Sequence, residues 1–109
     1  MENTFRRLFS LLLVTSFLLA SFSRSAAEGG KLAADKCERC HGKNGNSEKE
    51  DVPSIAGFSE VFLIDAMEMY RSGERTGAKY QLGDESETDM NEIARQLYNA
   101  DIEALAVFY

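Results

Sequence analysis

The chain has 109 residues, with 12 Lys and Arg against 18 Asp and Glu, one histidine, two cysteines and no tryptophan. Past residue 27 there are nine basic residues against 17 acidic ones, a net charge of -8. That balance argues against nucleic acid as a partner, because phosphate binding rests on Lys and Arg. The 82 residues from Glu28 to Tyr109 make one domain, and a domain of that size is marginal on side-chain burial alone unless a staple or cofactor joins the core.

The chain opens on "MENTFRR", then the apolar run "LFSLLLVTSFLLASF", then small residues in "SRSAAEGG". This is the order of a secretory signal, read here as residues 1–27 with the cut before Glu28. The other reading is an uncleaved anchor, but a spanning helix needs about 20 apolar residues and this run is shorter. The expectation is an exported, periplasmic protein with no membrane span after cleavage, its domain covering 28–109.

"GGKLAADKCERCH" reads as a short helix entering the cysteines. "GKNGNSEKEDVPS" is polar, with two glycines and the proline, and reads as a loop. "SEVFLIDAMEMYRSG" is the clearest helix. Ser59 suits its N-cap, Gly73 its end, and Phe62, Leu63, Ala66, Met67 and Tyr70 form one apolar stripe. "ERTGAKYQLGDESETD" has no period and reads as a loop. Asp89 with Glu92 offers a capping box for a helix over "DMNEIARQL", and Asn99 a cap for a last helix over "NADIEALAVFY". No stretch alternates like a strand, so the expected class is all-α, short helices joined by long loops.

Both cysteines and the histidine fall within "CERCH", Cys37 to His41. Three chemistries use such a spacing. A Cys37–Cys40 disulfide is open to an exported pair, but redox C-x-x-C motifs usually sit in a βαβ setting, and His41 would have no role. Structural zinc wants four protein ligands, and no further Cys or His follows His41. Covalent haem uses all three residues: two sulfurs bond the haem vinyl groups and the adjacent imidazole reaches the iron. Haem is the favoured reading, and it supplies the missing core.

A single histidine leaves the other face of the iron to be filled or left open. Met67 lies within an amphipathic stripe, where core packing explains it, and Met69 lies off that stripe. Met90 follows a long loop that could carry it across the haem, so a soft thioether from Met90 is favoured. The alternative is a haem sensor or small peroxidase-like protein with an open sixth position. No second histidine or spare cysteine offers bond-making chemistry, so an electron-transfer protein rather than an enzyme is expected.

In the order of its motifs the chain resembles the class I cytochromes c, small exported monohaem electron carriers. "GGKLAADKCERCHGKNGNS" is similar to the family's opening helix and attachment segment. "VPSIAG" is similar to its Pro-x-Leu/Ile-Ala-Gly segment, "FLIDAMEMYRSGER" to its middle helix, and "MNEIARQLYNADIEALAVFY" to its methionine and final helix. The resemblance implies an all-α fold wrapped around one covalent haem c. It implies thioether links at Cys37 and Cys40, and iron ligands at His41 and Met90. It implies that the Pro53 carbonyl holds the second ring nitrogen of His41, and that Gly29 crosses the last helix near Phe108. Two departures stand out: Ala33 where the family often has an aromatic, and Tyr98 where it usually has Ser or Thr. Arg71, Arg75, Lys79 and Tyr80 are the candidates for holding the haem carboxylates. Within the family, "HGKNGNS…PSIAG…FLIDAMEMYRSGE" resembles the cytochrome subunit of flavocytochrome c sulfide dehydrogenase and related small cytochromes. Redox protein partners are implied, a flavoprotein dehydrogenase subunit among them.

Overall fold

The structure, a computed structural model, describes residues 27–109. The leader and anchor readings fall outside the described residues, Ala27 apart.

A first helix, α1, occupies residues 27–32 and runs on without a break into a wider π-helical stretch, Ala33–Cys37. α2, Glu38–His41, is the single turn that follows. Gly42 ends it at φ 79, a left-handed backbone where a side chain would also collide with the Asn46 carbonyl. Only glycine turns the chain there without strain. A 3₁₀ turn, Lys43–Gly45, opens the loop that leads to α3, Glu60–Ser72. The Ser59 hydroxyl accepts the Phe62 N–H at α3's first turn (3.3 Å), and Gly73 closes its end at φ 86. Both boundaries are those read from the sequence, because caps are local chemistry.

The next loop holds a difference from expectation. β1, Tyr80–Gln81, pairs antiparallel with β2, Glu87–Thr88, in register Tyr80 with Thr88 and Gln81 with Glu87. Two residues per strand are too few to show alternation in sequence. α4, Met90–Arg95, starts on Asp89, whose carboxylate accepts the Glu92 N–H at 2.8 Å. Glu92 gives nothing back to the Asp89 backbone among the described residues, and its carboxylate lies 3.9 Å from the Lys79 ammonium. α5 is Asn99–Phe108. Its cap is not Asn99. The helix begins one residue earlier, at Tyr98, whose N–H is held by Asp101 Oδ2 (2.8 Å), while Asn99 Oδ1 accepts from Arg71 Nη1 (2.6 Å). The bond to Arg71 takes the Asn99 side chain away from the local cap.

α3 packs on both α4 and α5. Leu63 and Met67 of α3, Ala94 of α4, Leu97, and Ile102, Leu105 and Ala106 of α5 form the core with Ala33. Ile102 and Leu105 are its largest fully buried side chains. Phe62, read as part of the α3 stripe, instead lies half exposed and packs edge-on against Phe58 at 4.9 Å. α1 crosses α5 at Gly29, where a side chain would run into the Ala104 carbonyl and come within 3.1 Å of Phe108 Cβ. Ala33 is fully buried in the same region. Ala33, where the resemblance led to an aromatic, is part of the core cluster.

Candidate functional site

Cys37 ends the π stretch and Cys40 lies in the turn after it, both half-buried. The extra backbone width of a π turn re-aims the side chains that follow, and such turns cluster at functional positions. Burial pushes the Cys37 thiol up from its ordinary value.

His41 is buried at the end of α2. Its Nδ1 lies 2.7 Å from the Pro53 carbonyl oxygen. The loop between them is folded for this contact. The Gly45 carbonyl accepts both the Ile55 N–H (2.8 Å) and the Ala56 N–H (3.0 Å), and the Ser54 hydroxyl accepts the Ser47 N–H (2.9 Å). These bonds draw Pro53 back over His41, 12 residues away in sequence. With Nδ1 donating its proton to the carbonyl, Nε2 carries the lone pair, and Nε2 has no hydrogen-bond partner among the described residues. A buried imidazole with one nitrogen anchored and the other free is the arrangement of a metal ligand.

The last residue closes over the same motif. Tyr109 packs its ring on Gly45, accepts the Gly57 N–H through its carbonyl (3.2 Å), and stacks edge-on against Phe108 at 5.0 Å. Its hydroxyl is buried against Cys37 without a well-formed hydrogen bond. Burial pushes that phenol well above its usual range. An orphaned buried hydroxyl beside the first cysteine marks a place where another group belongs.

Met90 is the first residue of α4, half-buried and packed against the core. Met67 is buried in the core and Met69 is exposed on α3. Asn91, not singled out by the sequence, is buried and holds three backbone groups beside Met90. Arg71 is committed to the end of α4: Nη2 donates to the Leu97 carbonyl at 3.0 Å and Nε to the Ala94 carbonyl at 3.4 Å. Lys79 is held by Asp89 at 2.9 Å, and Arg75 lies over the Tyr70 ring. Of the four residues proposed for haem carboxylates, Arg71 is therefore taken. The hairpin is tied to the motif by Arg39–Asp84 (3.6 Å) and by the Lys49 ammonium over the Tyr80 ring (4.7 Å).

Among the described residues no three His, Cys, Asp or Glu side chains gather into a metal cage, and no helix is long and apolar enough to cross a membrane. The donor set that exists is two cysteines on adjoining turns, one anchored imidazole and an orphaned hydroxyl, which fits a covalently attached haem.

Comparison with known proteins agrees. The family model for cytochrome c matches residues 26–108. The chain is 28% identical over 102 residues to cytochrome c4 of Stutzerimonas stutzeri, covering 94% of this chain and 48% of that protein. It is 35% identical over 69 residues to cytochrome c4 of Pseudomonas aeruginosa, covering 63% of this chain and 34% of that protein. It is 29% identical over 83 residues to cytochrome c-554(548) of Halomonas halodenitrificans, covering 76% of this chain and 92% of that protein. The chain thus spans half or less of the length of the cytochrome c4 relatives it matches. Its cofactor is one covalent haem c, and the spacing of Cys37, Cys40 and His41 fits one such attachment. With its all-α class I fold and this attachment motif, the chain belongs to the cytochrome c family.

Proposed function

We propose that this protein is an exported monohaem electron carrier whose iron is held by His41 on one face and Met90 on the other. When bound, the haem supplies a metal that changes by one electron between ferric and ferrous. The chain's own residues determine how that change is used. The observation that carries the reading is the anchored His41 ring, with Nδ1 on the Pro53 carbonyl and Nε2 free directly after the two attachment cysteines.

The Pro53 bond fixes the ring's tautomer and orientation and makes Nε2 a better donor. Met90 brings a soft sulfur, which favours the reduced metal and raises the potential. The other methionines have other uses: Met67 fills the core and Met69 faces solvent. With the haem in place, His41 and Met90 would hold the iron from positions that hydrogen-bonded neighbours fix, and such fixed ligands would keep movement on electron transfer small.

The test is carbon monoxide added to the reduced protein at neutral pH. Slow or negligible binding is expected from a filled sixth position. Fast binding would mean an open position and would favour the sensor or peroxidase-like reading.

The finer likeness to the cytochrome subunit of flavocytochrome c sulfide dehydrogenase rests on the sequence segments alone. Co-elution with a flavin-bearing chain from the native source would support it, and elution as a free small protein would remove it.

A further inference from the structure

We propose that Asn91 is a positioning residue for the axial sulfur: its amide clamps the 70–77 segment onto α4 and so holds Met90 at the metal. The inference rests on the reading of Met90 as a ligand.

Asn91 is buried in α4's first turn, between the half-buried Met90 and the exposed Glu92. Its amide is fully used. Nδ2 donates to the Tyr70 carbonyl (2.7 Å) at the end of α3 and to the Arg75 carbonyl (2.7 Å), and Oδ1 accepts the Gly77 N–H (2.9 Å). Only an amide presents two donors and an acceptor in this fork. The bonds leave α4 one residue after Met90 and reach a segment 14 to 21 residues away. That segment touches Met90 itself. A Cβ built at Gly77 would lie 2.9 Å from Met90 N and 3.1 Å from Met90 Cβ, so the Gly77 backbone lies directly against the Met90 backbone. The preceding side is fixed as well, through Asp89 and Lys79.

An iron–thioether bond is weak, and its survival depends on how little the segment carrying the sulfur gains by letting go. A loosened segment gains conformational freedom on release, so pre-organisation shifts the balance toward the bound state. Asn91 supplies that pre-organisation through one bond to the last turn of α3 and two to the loop that follows it. Ordinary helix stability would not need it, since Asp89 already caps α4.

The experiment is titration of the ferric, haem-loaded protein with free imidazole, which competes for the sixth position. Four variants join the wild type: Met90→Ala, Asn91→Ala, Gly77→Ala and Ser59→Ala. Met90→Ala sets the scale of an open position. Asn91→Ala should raise imidazole affinity about tenfold or more, the loss of a buried hydrogen-bond group acting on one equilibrium, and should weaken the far-red ferric band. Gly77→Ala, which pushes on Met90, should move affinity in the same direction and decides the matter if Asn91→Ala does not load haem. Ser59→Ala removes the cap at the far end of α3 and should lower global stability without moving imidazole affinity. Wild-type affinity in both Asn91→Ala and Gly77→Ala, or an equal rise in Ser59→Ala, would overturn the inference while leaving the sulfur ligand in place. Wild-type affinity in Met90→Ala would overturn the ligand reading, and the inference with it.

Discussion

Met67 and Met90 carry the same thioether, and truncating each tests a different force. Met67 is buried among Leu63, Ala94 and Ile102. Met67→Ala should cost about 2–5 kcal/mol of stability, the range for emptying a core site, while leaving the ferric spectrum unchanged. Denaturant melts and absorption spectra check the two halves. Met90→Ala should change the spectrum first. The sequence distinguished the two because a helical stripe accounts for Met67 and nothing of that kind accounts for Met90. The candidacy of His41 was equally legible, since it directly follows the cysteines. Asn91 was not. In sequence it is one polar residue in a helix's first turn, and all its partners are backbone groups of a distant segment, which have no signature of their own.

At the level of elements, the helices followed from caps and stripes, and the errors came where a distant group intervened. Asn99 was taken by Arg71, and the last helix started on Tyr98 with Asp101 instead. The Tyr80–Gln81 and Glu87–Thr88 pair was hidden by its shortness. Close helix contact makes the α1–α5 crossing a sharp test. Gly29→Ala would force a side chain onto the Ala104 backbone, and overpacking of this kind should cost about 1–3 kcal/mol in a denaturant melt. The hairpin has its own pH response. Asp84 is held below its ordinary value of 3.8 by the Ser86 hydroxyl, then the Ser86 N–H, with Arg39 adding attraction. A carboxylate lowered in the folded state contributes stability that is fully present above the unfolded value and fades as pH falls through the folded one. The hairpin's contact with Arg39 should therefore hold from neutral pH to about 4 and loosen below it. Amide exchange of residues 82–86, followed against pH, reads this directly, and Asp84→Asn should abolish the dependence.

At the scale of the molecule two features set behaviour: the sparse core of the described residues, and a charge balance of 17 acidic residues against nine basic ones past residue 27. Among the described residues, few large side chains beyond Ile102 and Leu105 are fully buried, so much of the folding energy should come with the haem. The double variant Cys37→Ala with Cys40→Ala, produced without haem attachment, should lose most of its helical far-ultraviolet signal. The acidic surface should speed encounter with a basic redox protein, so electron-transfer rates should fall steeply as salt rises. Rates that ignore ionic strength would remove electrostatic docking. The proposed iron ligation stands or falls on the Met90 sulfur. Its test is the weak far-red absorption band of the ferric protein, recorded for the wild type and for Met67→Ala, Met69→Ala and Met90→Ala. The band should be present in the wild type and the first two variants and absent from the third. A wild type without it, or a Met90→Ala protein that keeps it, would contradict the account.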